Sequence, residues 1–342
     1  AGIGAAAFDS RANAAVLPRN ALINHADPFA FLRRIAGPDH PAHLQPAKLL
    51  APHRWRGANR EEIVALCLEA GIDMPHVTVI DPLTSKALDR YVSALVIKRP
   101  EMSQADARAQ LRDPLWFGAM MLAQGDADYC IAGNLSAASS VLRAGLRVIG
   151  LTEGCKTLSS MFFMRSADKS TVLGFGDCGV VPEPNSEQLA DIALQTAANY
   201  QRVTGLDPRV AMLSFSTYGS AKHPSAQLVA QAAQTAKARQ PTLLLDGELQ
   251  FDAAFVPQVA AQKASGSAVA GQANVFIFPN LAAGNIAYKM AERMGGYTAL
   301  GPMIQGLKLP LHDLSRGCSA QDMLEVTLLA MKMNPLASLH LP

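Results

Sequence analysis

From about residue 60 onward the apolar positions follow two alternating rhythms. At 60–70, Ile63, Leu66, Cys67 and Ala70 recur at helical spacing and Gly71 supplies a stop. At 77–80 the chain reads VTVI, a short buried strand that ends at Asp81-Pro82. The spacing predicts helices over 84–98, 103–111 and 114–124, a strand over 127–132 and a helix over 136–148. Further strands are expected at 171–175, 209–216, 242–246 and 274–279. Further helices are expected from the Pro184-Asn185-Ser186 start to about 200, and at 224–239, 251–264, 283–294 and 320–333. Short β-branched and leucine runs alternating with longer helices predict an α/β chain with mostly parallel sheets. The first 58 residues, rich in Ala, Pro, His and Arg, carry only weak periodicity, and no repeat is found anywhere.

In sheets of this kind ligands sit beyond the C-terminal strand ends. Several predicted strands run into polar, Gly-rich stretches there: 132–134, 176–179, 216–223 and 246–248. One such loop is ordinary turn chemistry; four of them point to a shared cleft.

Composition narrows the function. Hydrophobic residues make up 49% and charged residues 17%, a globular balance. The net charge of +2 comes without any Lys/Arg block, so neither nucleic acid nor a membrane surface is an expected partner. No apolar run approaches the roughly 18 residues that span a bilayer. No basic region followed by an apolar core marks a secretory signal. Cys67, Cys130, Cys155, Cys178 and Cys318 are scattered and odd in number, which fits a reducing cytoplasm better than a disulfide framework or a zinc site. The histidines show no metal-ligand spacing.

The glycines of Gly2-Ile3-Gly4 imitate a dinucleotide fingerprint but lack the preceding strand that motif needs. The most informative stretch is 301–323, GPMIQGLKLPLHDLSRGCSAQDM. Its Ser319-Ala320-Gln321-Asp322 is a capping-box variant opening the last helix. A loop entering a helix N-terminus is a natural anion site, and Arg316 adds a planar fork for phosphate or carboxylate oxygens. On the residues alone, helix capping and anion binding remain equally open.

The same stretch resembles the signature of the phosphate acetyl/butyryltransferase family. The likeness extends through DPLWFGAMML (113–122), GDADYCIAGN (125–134), VLRAGLRVIGL (141–151), GFGDCGVVPEPNSEQLADIA (174–193), RVAMLSFSTYGSAKHP (209–224), DGELQFDAAFVP (246–257) and ANVFIFPNLAAGNIAYKMAERMGG (273–296). It covers roughly 60–335, and IAGNLSAASSVLRAGLRVIGL is most similar to the shorter enzymes of ethanolamine-utilisation type. The usual opening strand-and-helix unit of the family is not found in 1–58.

The resemblance implies two three-layer α/β domains of isocitrate/isopropylmalate dehydrogenase-like architecture with the active site in a cleft between them. Residues 1–151 with 303–342 would form the first and 152–302 the second, inserted domain. It implies reversible acetyl transfer between acetyl phosphate and coenzyme A, with CoA a substrate and no cofactor or metal, in a cytoplasmic homodimer. Asp322 matches the family's thiol base, and Ser315 with Arg316 matches its acyl-phosphate clamp. Arg143 matches an arginine linked to CoA or phosphate, and Arg99 is the nearest match to a further CoA-gripping arginine. Cys178 falls near the family's site, as a small lining residue rather than a nucleophile. Ser214, Ser216, Thr217, Gly219 and Ser220 form a hydroxyl-rich loop suited to phosphate, and Asn285 and Lys289 lie one helical turn apart on a face able to reach the cleft. Two alternatives compete. One is a non-catalytic acetyl-CoA-binding regulatory module, against which Ser315, Arg316 and Asp322 are all present. The other is an NAD-dependent decarboxylating dehydrogenase, whose metal-binding aspartates and cofactor loop are not found. A preference for butyryl over acetyl donors is left open.

Overall fold

Two central sheets organise the protein, each in its own compact unit. The computed structural model describes residues 14–17, 47–50, 77–133, 136–314, 318 and 320–333. Residues 1–150 and 307–342 form the first unit and 151–306 the second.

In the first unit five strands lie in the order β11-β4-β1-β2-β3: β1 (Ala14–Leu17), β2 (Ala47–Leu50), β3 (Val77–Ile80), β4 (Tyr129–Ala132) and β11 (Leu311–Asp313). β11 runs parallel to β4 and β2 parallel to β3, while β1 is antiparallel to both neighbours. β1 and β2 fall in the stretch where the sequence predicts no element; four residues apiece leave no period to read. β11 is likewise too short to show one. The predicted helix over 60–70 lies outside the described residues.

Helix α1 (Leu88–Lys98) and helix α2 (Gln104–Gln110) are shorter than predicted, α2 being capped by Ser103. Helix α3 (Pro114–Ala123) starts where Asp113 accepts the Leu115 N–H at 2.9 Å and Pro114 needs no donor. It is buried from Pro114 through Leu122, which its uninterrupted apolar sequence foreshadows. The single helix predicted over 136–148 is instead α4 (Ala138–Ala144) followed by a π-helical turn, Gly145–Ile149. A Cβ at Gly145 would lie 2.9 Å from Leu307 and 3.0 Å from Leu311, and Lys98 Nζ reaches the Ile149 carbonyl at 2.9 Å. These contacts are invisible to periodicity. The core gathers Tyr91, Leu95, Phe117, Met120, Val141 and Val148.

In the second unit six strands lie in the order β10-β5-β6-β9-β7-β8: β5 (Ser159–Arg165), β6 (Val172–Gly176), β7 (Arg209–Leu213), β8 (Leu244–Leu249), β9 (Val275–Ile277) and β10 (Thr298–Gln305). β6, β9, β7 and β8 are mutually parallel, and β5 and β10 add an antiparallel edge. The chain is therefore α/β as expected, with mixed sheets. β5 and β10 are absent from the predicted elements: SSMFFMR is buried on both faces and does not alternate, and β10 contains Gly301-Pro302. β10 runs through Gln305 in this sheet, past the return point of 303 drawn from the sequence.

Helix α5 (Ser186–Thr204) opens with a reciprocal capping box between Asn185 and Gln188 and stops at left-handed Gly205. Helix α6 (Pro224–Arg239) keeps its predicted bounds. The helix predicted over 251–264 is broken into α7 (Phe251–Phe255) and α8 (Pro257–Lys263), because Pro257 lacks an N–H and holds Val256 extended. Helix α9 (Leu281–Arg293) and, in the first unit, helix α10 (Ala320–Met333) complete the described elements. Asp246-Gly247-Glu248, predicted to be a loop, belongs to β8. A Cβ at Gly247 would lie 2.5 Å from that of Met212, so only glycine allows β7 and β8 to come this close.

Candidate active site

In the second unit, the stretch after β7 is bound to the end of β8. Ser214 N–H donates to the Leu249 carbonyl at 2.9 Å, and Ser216 N–H to Ser214 Oγ at 3.3 Å. Ser216 Oγ donates to Glu248 Oε1 at 2.9 Å, and Gly219 N–H donates to the same oxygen at 2.6 Å. Thr217 N–H donates to Ser220 Oγ at 3.1 Å, while Thr217 Oγ1 exchanges hydrogen bonds with Gln250. The five residues expected to contact phosphate are thus brought together, but two of their donors, the Ser216 hydroxyl and the Gly219 N–H, already face a carboxylate. Next to them Asp246 accepts from Tyr218, Ser267 and Lys237. Burial alone would raise its carboxyl; those hydrogen bonds outweigh it and hold the group below the ordinary range. Sequence reasoning gave Glu248 no role, since a Glu inside a Gly-containing stretch reads as turn chemistry.

After β6, Asp177 organises another loop. Its carboxylate accepts from Ser160, from Gly179 N–H at 3.0 Å and from Val181 N–H at 2.6 Å. Cys178 is fully buried and packs into the apolar core with Phe162 and Phe175. Burial, reinforced by the charge of Asp177, pushes its thiol well above the ordinary range, which denies it the thiolate a nucleophile needs. Asn285 on α9 donates to the Cys178 carbonyl at 3.2 Å, so these two predicted residues meet through the backbone. Lys289, one turn on, is exposed with its Nζ 5.8 Å from the Tyr288 ring centroid.

In the first unit, Arg143 is exposed in the last turn of α4. Arg99 follows α1 and pairs with Glu101, its Nε donating at 2.8 Å. Asp322 is exposed in the first turn of α10, where a carboxylate favours the positive helix end. Ser315 and Arg316 lie outside the described residues, between β11 and α10.

Asp313 closes β11, in register with Ala132 at the end of parallel β4. Leu314 N–H donates to the Ala132 carbonyl at 2.6 Å and draws the two strand ends together. The Asp313 side chain lies against Gly133: a Cβ there would be 2.0 Å from Oδ1, and the glycine has φ +112°. The residue is only 6% exposed, and Oδ1 makes no hydrogen bond. Burial raises the carboxyl to about 7, with the Leu314 N–H opposing. Neighbouring His312, also buried, is lowered to about 3 and so is neutral. The sequence places Asp313 beside the Ser-Arg pair, but nothing in it reports burial. Among the described residues no group of three or more His, Cys, Asp or Glu is placed to hold a metal, and no helix is long and apolar enough to cross a membrane.

Comparison with known proteins places these features in context. A family model described as phosphate acetyl/butaryl transferase matches residues 56–331. A phosphate acetyltransferase from Acetivibrio thermocellus is 43% identical over 274 residues, covering 78% of this chain and 82% of that protein. Two solved structures are similar, each covering 80% of this chain and 84% of the other. The EutD phosphotransacetylase from Staphylococcus aureus has a TM-score of 0.75 at 38% identity, and a phosphotransacetylase from Streptococcus pyogenes 0.77 at 40%.

Proposed function

Because the chain belongs to the phosphate acetyl/butaryl transferase family, we propose that it is a phosphate acetyltransferase, moving an acetyl group reversibly between acetyl phosphate and coenzyme A. The observation that carries this reading is the 43% identity over most of the chain to a phosphate acetyltransferase. Conversion of acetyl-CoA and phosphate to acetyl phosphate and CoA is a reaction of acetate metabolism, and it needs no cofactor.

The segment from Asp313 to Asp322 carries the chemistry in this proposal. Arg316 and Ser315 hold the acyl phosphate, the guanidinium offering a bidentate fork to its oxygens. Asp322 removes the proton of the CoA thiol, which near pH 7 is mostly un-ionised, with an ordinary pKa of about 8.5. The thiolate attacks the acetyl carbon directly in a ternary complex, and phosphate leaves. Arg316 also offsets charge building on the carbonyl oxygen and the phosphate. Arg143 and Arg99 are assigned to the phosphates of CoA, and the 214–220 loop, Asn285 and Lys289 to substrate binding. Cys178 contributes bulk beneath that lining, as its burial supports. Free cysteines among the described residues support a cytoplasmic setting, and a homodimer is part of the same proposal.

The test is a direct assay of purified protein with acetyl phosphate and CoA, followed by thioester absorbance. Arg316→Ala and Asp322→Asn are each expected to lower turnover by at least about 100-fold, within the range for single electrostatic or acid–base groups. CoA binding without any turnover in the unmodified protein would favour the regulatory module instead.

A further inference from the structure

We propose that Asp313 is a second catalytic carboxyl, the general acid that protonates the phosphate oxygen as it leaves the acetyl carbon. The inference rests on the acyltransferase reading above and adds a residue to its site.

Three features of the fold support it. Asp313 ends β11 and Gly133 follows β4, so both lie at the C-terminal ends of adjacent parallel strands, where α/β sheets take their ligands. Asp313 as a whole is 6% exposed, and its Oδ1 is buried with no hydrogen-bond partner. A buried polar atom left unpaired destabilises the fold, a penalty tolerated where a ligand supplies the partner. Gly133 keeps space open beside Oδ1, since a Cβ there would lie 2.0 Å from it.

The protonation state follows from the same burial. Raised to about 7, Asp313 retains a substantial protonated fraction near neutrality, unlike an ordinary carboxyl of about 4. Titratable groups on the elements around it are His312 on its own strand, Tyr129 and Cys130 on β4, Arg143 on α4, and Asp322, Glu325 and Lys332 on α10. None of these is a cause of the shift; burial is. Asp313 is buried whereas Asp322, the proposed base, is exposed, so the two carboxyls have different surroundings.

The reaction balances with both. The S–H proton passes to Asp322 while the sulfur pair forms the C–S bond to the acetyl carbon. The C–O bond to phosphate breaks, and the departing oxygen takes the Asp313 proton together with the bond pair. Phosphate leaves as the hydrogen phosphate dianion rather than the strongly basic trianion. The proton on Asp322 is lost to solvent and Asp313 is reprotonated from solvent. In the reverse direction Asp313 accepts the phosphate proton.

Acetyl methyl phosphate supplies the test, because its leaving group departs as a weakly basic monoester dianion, with an ordinary pKa of about 6, and needs no acid. Asp313→Asn is expected to lower kcat with acetyl phosphate by about 100- to 10,000-fold, the usual range for general acid catalysis, and with acetyl methyl phosphate by less than about 10-fold. Unmodified protein gives an independent reading should the variant fail to fold: kcat with acetyl phosphate should fall as pH rises above about 7, and kcat with acetyl methyl phosphate should not. Equal losses with both donors, or an Asp313→Asn variant with full turnover, would overturn the assignment. Absence of any thioester from the unmodified protein would instead overturn the acyltransferase reading itself.

Discussion

Burial shifts the titration of Asp313 and Cys178 in the same direction, upward, with different consequences. For Asp313 the folded carboxyl titrates at about 7, above the ordinary value of about 3.9 for an unfolded chain. Folding therefore binds the proton, so this contribution to stability is full below about pH 4 and is lost as pH rises through about 7. Asp313→Asn, which cannot ionise, should lack that loss. Urea titrations at pH 5 and pH 8 are expected to show the variant gaining stability relative to the unmodified protein at the higher pH. A constant difference between the two would contradict a buried, raised carboxyl. For Cys178, burial removes reactivity. Iodoacetamide should leave it unlabelled in the native protein and label it after unfolding, as peptide mapping by mass spectrometry would read. Rapid native labelling would mean that the thiol is accessible. The sequence singled out Ser315, Arg316 and Asp322 as candidates through the family resemblance of their segment, since the residues alone left helix capping and anion binding equally open. The role of Asp313 was not legible there, since its chemistry depends on Gly133, far away in the chain.

Elements in this protein are predicted well where local chemistry decides them. The capping box of α5 is an example: Asn185 and Gln188 satisfy one another's backbone donors at 2.9 and 3.0 Å. Asn185→Ala should cost about 1 kcal/mol and lower the melting temperature, whereas Asn185→Ser should recover most of the loss. Thermal unfolding followed by circular dichroism would separate the two. Pro257 breaks the helix predicted over 251–264 for an equally local reason that the apolar stripe masked. Where neighbours decide, the prediction fails. β5 is buried along nearly its whole length, so no alternation marks it, and the π-helical turn after α4 begins at Gly145, where a Cβ would crowd Leu307 and Leu311.

At the scale of the molecule, the chain leaves the first unit at Gly150 and re-enters it at Leu307. Both crossings are pinned within their own units: Thr152 N–H donates to the Gly306 carbonyl at 2.9 Å, and Lys308 N–H to the Gly150 carbonyl at 3.0 Å. Second-unit ends that meet, and a core of its own around Phe175 and Phe276, predict that residues 151–306 fold alone. A fragment of that span should unfold in a single cooperative denaturant transition. A broad, non-cooperative loss of helical signal would show that it depends on the rest of the chain.

The sequence by itself determined the α/β class, most helix starts and stops, and the family, because periodicity, caps and long motifs are local properties. Only the tertiary structure decided that β1 enters its sheet antiparallel, that β8 runs on through Gly247, and that the Ser216 hydroxyl and the Gly219 N–H turn toward Glu248. It alone decided that the carboxyl of Asp313 is buried against Gly133. Each of these depends on which distant strand lies alongside, and burial is set by neighbours that the order of residues does not list.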